Sequence, residues 1–482
     1  MDNININNIN ITRKLNELGY NTVNDSWYDL IDDWDSWYKG NVENFHRYTV
    51  WNGQHKIKCT RYSLGMGKKV CEDWANLLMN EKVKITLEGG KEQEFIDDIF
   101  RSSNFEVNMN ELQEKGAARG TYAIIPRVQN ATVNNRGEIT GSGGEIVMDY
   151  VTADRIFPLS WTGRKITECA FVTVTSEKDS KYVYLQIHSK KNGLYFIENH
   201  AYKTIGYGGN LNEIDISSMP GYENVPARYT VGENQQFVIG RYNIANNICE
   251  DNPMGISVFA NAVDVLKACD IVYDSYVNEF VLGKKRIMVQ PAATKLDGVE
   301  SVFDPNDVTF YVLPEDIKDG NVINPIDMSL RTAEHKQGIQ DHLNILSAKC
   351  GFGEQHYKFD NGSVATATQI VSENSTLFRS IKKHEIILES VILELCRILL
   401  RMGNIYMSAG LNENVEISVD FDDSIIEDKA TDEERVYQML SAGLMRADEA
   451  RSILMNEDIE TARAALPGME ELTQGETQNE VE

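Results

Sequence analysis

A chain of 482 residues can bury several cores, and its formal charge of −26, from 47 Lys plus Arg against 73 Asp plus Glu, argues against a protein whose main task is gripping phosphates. Nucleic acid as a passing partner is not excluded, because an acidic surface repels a duplex carrying one charge per about 1.7 Å of axis and so suits a conduit as well as a merely soluble protein. Seven scattered cysteines without a C-x-x-C spacing read as reduced thiols, and eight histidines without an H-E-x-x-H or H-x-x-x-H pattern give a metal site little support.

The chain begins with a polar Asn- and Ile-rich stretch that lacks the basic-then-apolar order of a signal peptide. No apolar run reaches the 18 or more residues of a membrane span, since even Ile386 to Leu400 is interrupted by Glu389, Glu394 and Arg397. Trp27, Trp34 and Trp37 then share one helical face, which implies core packing. Val70, Trp74, Leu77 and Leu78 place another helix over Lys69 to Glu81, and two more cover Lys91 to Arg101 and Asn108 to Ala118.

Between Tyr122 and His200 the period changes to that of strands. Tyr122 to Val128, Glu145 to Val151, Ala170 to Thr175, Lys181 to Ile187 and Leu194 to Asn199 are rich in Val, Ile, Thr, Tyr and Phe, with turn clusters such as Gly141 to Gly144 and Lys191 to Gly193 between them. An antiparallel sheet region is expected there.

Asn252-Pro253 supplies a cap and a first-turn proline, and the 3.6 period that follows to Leu282 predicts a helix of about 42 Å ending at Gly283. Lys284, Lys285 and Arg286 come next. Three cations suit the negative end of a helix dipole, and they are also candidate phosphate contacts. Ile287 to Gln290 and Val308 to Leu313 read as strands broken up by prolines, and a helix returns from Arg331 to Cys350.

A glycine-rich segment, Gly351 to Gly362, leads into the longest helical pattern of the chain, Thr366 to Met402, whose positions Val371, Asn374, Phe378, Ile381, Glu385, Leu388, Ile392, Leu395 and Leu399 trace one mostly apolar face. Val415 to Phe421 alternates as a strand. Thr431 to Glu434 fits a capping box ahead of helical stretches around Val436 to Leu440 and Arg446 to Leu454. The last 63 residues hold 18 acidic against 5 basic side chains, and the tail from Leu472 is expected to be disordered.

The sequence carries no recognisable catalytic set. Gly65-Met-Gly67-Lys68-Lys69 fails as a phosphate loop, because Tyr62 stands where its first glycine belongs and Lys69 where Ser or Thr belongs, and it reads as a helix entry. Gly141 to Gly144 and Gly206 to Asn210 lack the strand-then-helix context of a dinucleotide site and read as turns. Asp422-Asp423 reads as a charged strand end.

Six stretches carry a resemblance. They are Trp34-Asp-Ser-Trp-Tyr-Lys-Gly40, Phe45-His-Arg-Tyr48, Ser63 to Ala75, Asn80-Glu-Lys-Val-Lys-Ile85, Gly351 to Asn374 and Val419-Asp-Phe-Asp-Asp-Ser424. Their order and spacing resemble the portal proteins of long-tailed bacteriophages, in the branch common in phages of Gram-positive bacteria. The resemblance implies an α+β portal-type fold: an outer wing of helices and antiparallel strands over residues 1–252, stem helices at 253–282 and 331–350, and a small α/β clip at 283–330. It further implies a tunnel loop at 351–365, a long helix and wing strand at 366–428, a helical crown at 429–466 and an acidic tail at 467–482.

By the same resemblance Gly353, Glu354, Gln355, His356, Tyr357 and Lys358 would face a DNA channel, and no catalytic residue, cofactor or metal is implied. The implied partners are further copies of the chain in a ring of twelve, double-stranded DNA passing without sequence specificity, the terminase large subunit, a head-to-tail connector, and the major capsid and scaffolding proteins, with no membrane. A structural capsid or scaffold protein without a channel, and an enzyme with dispersed carboxylates, are the rival readings.

Overall fold

The computed structural model describes residues 8–79, 83–129, 132–133, 139–140, 144–177, 180–205, 211–222, 225–283, 286–289, 310–312, 323–326, 329–358, 367–421, 436–455 and 459–465. The chain divides into two compact units, Met1–Asp420 and Phe421–Glu482. It mixes helices with antiparallel sheet, as the α+β reading anticipates.

The first unit opens with α1 (Asn8–Glu17) and α2 (Ser26–Tyr38), a projecting ribbon of β1 (Arg47–Trp51) and β2 (Lys56–Thr60), then α3 (Met66–Leu78), β3 (Lys84–Leu87), α4 (Gly90–Ser102) and α5 (Phe105–Arg119). Trp27, Trp34 and Trp37 are all buried, Trp27 meeting Trp34 edge to face at 5.8 Å. Gly65 caps α3 in the left-handed conformation (φ 73°), and the helix starts so close to α2 that a Cβ on Gly67 would lie 2.5 Å from the Trp37 carbonyl oxygen. Close helix packing is therefore what this glycine pair serves. Arg119, at the end of α5, donates to Asp35 of α2, to Thr152 and to Asp154, tying helices to sheet.

Strands β4 (Thr121–Gln129), β5 (Thr132–Val133), β6 (Ile139–Thr140), β7 (Glu145–Thr152), β8 (Ile156–Thr162), β9 (Lys165–Glu177), β10 (Ser180–Lys191), β11 (Leu194–Ile205), β12 (Asn212–Ile214), β13 (Arg228–Gly232) and β14 (Val238–Arg241) follow. They form a six-stranded antiparallel sheet in the order β12-β11-β10-β9-β8, with β13 also on β11, a three-stranded sheet β14-β4-β7 and the short pair β5-β6. Alternation buries Val183, Leu185 and Ile187 of β10.

Helix α6 (Val263–Leu282) begins ten residues later than the Asn252-Pro253 signal suggests. The backbone ahead of it is engaged elsewhere: Met254 N–H donates to the Asn252 side chain, Gly255 N–H to Thr121 Oγ1, and Val258 N–H to the Ala117 carbonyl. Here the two segments approach so closely that a Cβ on Gly120 (φ 84°) would lie 2.3 Å from the Gly255 carbonyl oxygen. Tertiary hydrogen bonds override the local cap, and α6 is about 30 Å long rather than about 42 Å.

After α6 come β15 (Arg286–Val289), β16 (Phe310–Val312) and β17 (Ile323–Ile326), with β15 parallel to β16 and antiparallel to β17. Helix α7 (Thr332–Lys349) returns alongside α6, and Arg331 clamps Glu279 through Nε at 3.0 Å and Nη2 at 2.8 Å. Helix α8 (Ala367–Met407) has 41 residues, about 60 Å, and buries Ile381, Leu388, Ile392, Leu395 and Leu399.

Strand β18 (Ile417–Asp420) pairs antiparallel with β3, Lys84 opposite Asp420. The outer edge of β3 is occupied by one side chain: Leu87 N–H donates to Gln93 Oε1 at 2.7 Å, and Gln93 Nε2 donates to the Ile85 carbonyl at 3.2 Å. A single amide thus stands in for the next strand and closes the edge.

In the second unit residues 436–441 are helical, followed by the helices Ala447–Met455 and Ile459–Ala464, joined by Asp448 accepting from both Arg446 and Arg463. The capping box Thr431–Glu434, the Asp422-Asp423 pair, the glycine turns at 141–143 and 206–210 and the tail from Leu472 lie outside the described residues. No helix among the described residues is long and apolar enough to cross a membrane.

Candidate functional site

The glycine-flanked segment after α7 is positioned from its first residue. Gly351 takes φ 90°, Phe352 N–H returns to the Ser347 carbonyl at 3.0 Å, and the chain leaves the helix toward α3. Phe352 then stacks on Trp74 of α3 with centroids 4.8 Å apart, and His356 stacks on the other side of Phe352 at 4.5 Å. Trp74 is fully buried, donates Nε1–H to the Cys350 carbonyl at 3.1 Å, and meets the edge of His384 of α8 at 4.6 Å. Three helices are thereby keyed to one indole.

The six residues that the portal resemblance assigns to a channel have different settings. Glu354, His356 and Lys358 are exposed, Gln355 is half-buried, and Gly353 and Tyr357 are buried. Tyr357 N–H donates to Ser347 Oγ at 3.3 Å, and Gln340 Nε2 donates to the Tyr357 carbonyl at 2.8 Å. Burial, reinforced by the Asp73 carboxylate, pushes its phenol well above the ordinary range, so it stays a neutral anchor. Asp73 sits 3.6 Å from His356 and 2.5 Å from Lys69; burial raises its carboxyl, but the neighbouring His356, the Lys69 ammonium bonded to it and the nearby Tyr357 hydroxyl hold it below the usual value. Lys284 and Lys285 lie outside the described residues, and Arg286 opens β15, its backbone paired with Ile326.

A second buried polar cluster links α6 to the foot of the β1–β2 ribbon. Val42 N–H donates to His46 Nδ1 at 2.8 Å, which leaves the ring proton on Nε2 for Asp270, 2.9 Å away. Asp270 also accepts from Leu64 N–H at 2.6 Å and from the Ser63 hydroxyl, and one helical turn on, Asp274 accepts from Tyr62 N–H at 3.0 Å. Sequence reasoning had no access to these pairs, since the partners lie more than 200 residues apart; the only hint is a polar residue interrupting the apolar face of α6.

His384 is fixed neutral by the same logic, because its Nδ1 accepts from Asn243 N–H at 3.0 Å. Burial, helped by Lys383, depresses it from the ordinary value to about 3. Below about pH 6.5 the unfolded chain binds a proton that the native site refuses. This site alone should then lower stability by roughly 1.4 kcal/mol per pH unit down to about pH 3, with no effect above pH 6.5. Urea-unfolding free energies measured from pH 7 to 4 should fall less steeply in His384→Gln by about that amount, while His188, depressed to about 3 by burial as well, keeps its own contribution; an unchanged slope in the variant would refute the assignment.

Chemically, neither cluster combines an activated nucleophile with a base, and among the described residues no group of three or more His, Cys, Asp or Glu side chains could hold a metal ion. The arrangement positions an exposed carboxylate, imidazole and ammonium on a tightly held turn. A family model described as phage portal protein, SPP1 Gp6-like, matches residues 20–476. No curated protein matches the chain.

Proposed function

The chain belongs to the phage portal protein family, SPP1 Gp6-like, and from that premise we propose that twelve copies close a ring at one vertex of the capsid, through which double-stranded DNA is packaged and later ejected. The family match over residues 20–476 carries this reading. The α6–α7 pair and the 41-residue α8 support it, because long helices suit side-by-side packing around an axis better than the compact core of an enzyme. The protein is then a component of the virion, assembled in the host cytoplasm among major capsid and scaffolding proteins.

In this reading residues 1–252 and 366–428 make the wing, α6 and α7 the stem, 283–330 the clip that meets the terminase large subunit and then the head-to-tail connector, and 429–466 the crown. Residues 351–365 are the tunnel loop, with Glu354, Gln355, His356 and Lys358 toward the DNA and Gly353 and Tyr357 holding the turn in place. Lys284, Lys285 and Arg286 contact phosphates where stem meets clip. The chain conducts DNA without hydrolysing nucleotide, and the motor is the terminase.

The lumen should be mainly acidic with a few cations, since six to ten firm phosphate contacts would bind the duplex in a strongly salt-dependent way and stall it. Electron microscopy of the purified full-length protein should show rings with a central hole and count their subunits. A compact monomer at every concentration, or a neutral or broadly basic lumen in an assembled ring, would contradict this account.

A further inference from the structure

We propose that the β1–β2 ribbon is an arm by which one copy of this chain holds the next, its Trp51 and cationic face seated in the groove between β3 and the α4–α5 corner of the neighbouring copy. The inference rests on the ring assembly proposed above and adds a specific joint to it.

The ribbon is a two-stranded sheet that no third strand joins among the described residues, running from Arg47 opposite Thr60 to Trp51 opposite Lys56. Such a ribbon is marginal in water by itself. Its foot is nonetheless well fixed: Arg61 lies over the rings of Phe45 and Tyr48 at 4.3 and 4.7 Å, and its N–H donates to the His46 carbonyl at 2.8 Å. Register puts Arg47, Thr49, Trp51, Lys56, Lys58 and Thr60 on one face, and Tyr48, Val50, Ile57 and Cys59 on the other. Trp51 is 61% exposed, and Val50 and Ile57 are exposed as well. A ribbon fixed at its foot and offering a bare indole is the composition from which binding hot spots are built.

Charge selects the occupant. Residues 47–61 contain four Lys or Arg and no carboxylate, whereas the rest of the chain holds 43 Lys plus Arg against 73 Asp plus Glu. A second copy is therefore an electrostatically complementary surface.

Within that surface one groove, of about 420 Å³, matches the arm in detail. Its floor includes Ile85 and the stacked rings of Phe100 and Phe105, 4.0 Å apart, and Val107 on its lip is 69% exposed. Asp97, Glu106 and Arg101 line it, the Arg101 guanidinium being paired with Asp98 at 3.0 Å. An aromatic knob with lysines beside it thus meets an aromatic hole with carboxylates beside it. Knob and hole are different parts of one chain, so the contact is heterologous, and repetition about an axis closes a ring.

The test uses the full-length protein, with ring formation followed against concentration by analytical ultracentrifugation and folding checked by circular dichroism. Trp51→Ala should raise the concentration for half-assembly by about 30-fold or more. Lys56→Glu with Lys58→Glu should abolish rings, and adding Asp97→Lys with Glu106→Lys should restore them. Wild-type rings combined with unchanged assembly of the arm variants, or no rescue by the swapped charges, would overturn the arm while leaving the ring reading intact. A wild-type chain that never forms rings would remove both. Fluorescence anisotropy with a labelled DNA duplex covers the other basic-ribbon role: loss of duplex binding in the Lys56→Glu, Lys58→Glu protein with normal assembly would make the ribbon a nucleic-acid surface and refute the arm.

Discussion

Asp270→Ala should destabilise the protein by about 3–5 kcal/mol, among the largest effects available from one side chain. Asp270 and His46 are 4% and 3% exposed, so neither can exchange its lost partner for water without opening the structure. Alanine would strand three donors at once: the buried Nε2–H of His46 and the half-buried Leu64 N–H and Ser63 hydroxyl. Asp270→Asn keeps one acceptor and should cost less, about 1–2 kcal/mol. Because these bonds attach residues 42–64 to α6, hydrogen exchange in that segment should accelerate more than the global loss explains. A urea-unfolding loss below about 1 kcal/mol for the alanine variant would show that the cluster does not hold the segment.

Trp74→Ala should cost a similar amount, about 3–5 kcal/mol, through the cavity it leaves between α3, α7 and α8. The consequence differs in place. Phe352 would lose the ring it stacks on, and the Cys350 carbonyl its donor, so exchange and protease cleavage should rise in Gly351 to Lys358. Trp74→Phe retains an aromatic face and loses only the indole N–H, and should cost about 1 kcal/mol beyond its volume change. If the alanine variant left protection of Phe352 to Tyr357 unchanged, the turn would owe its shape to Ser347 and Gln340 instead.

The elements with strong periodicity were legible in the sequence. The tryptophan face of α2, the apolar rows of α3 and α8 and the alternating strand β11 have one buried side each, and that side writes a period into the chain. What escaped depends on partners distant in sequence. Asn252-Pro253 has good helix-start chemistry, yet its neighbourhood bonds to Thr121 and Ala117. The parallel pairing of β15 with β16 was equally hidden, because alternation reports which side is buried and not which strand lies alongside. In the candidate turn, Tyr357 read as one of several polar-tipped residues in a glycine-rich loop. Its burial follows from Phe352 and Trp74, and nothing near position 357 announces an indole contributed by α3.

The pairing of β3 with β18 also has a consequence for the order of events in the cell. Lys84 finds its partner only at Asp420, and with ribosomes adding about 5–20 residues per second, β3 leaves synthesis roughly 20–70 s before β18 exists. Until then the Gln93 amide can quiet one margin of the early strand, while the other waits for β18. Synthesis of residues 417–420 is thus a timer for closure, and a subunit terminated before them would leave that margin open.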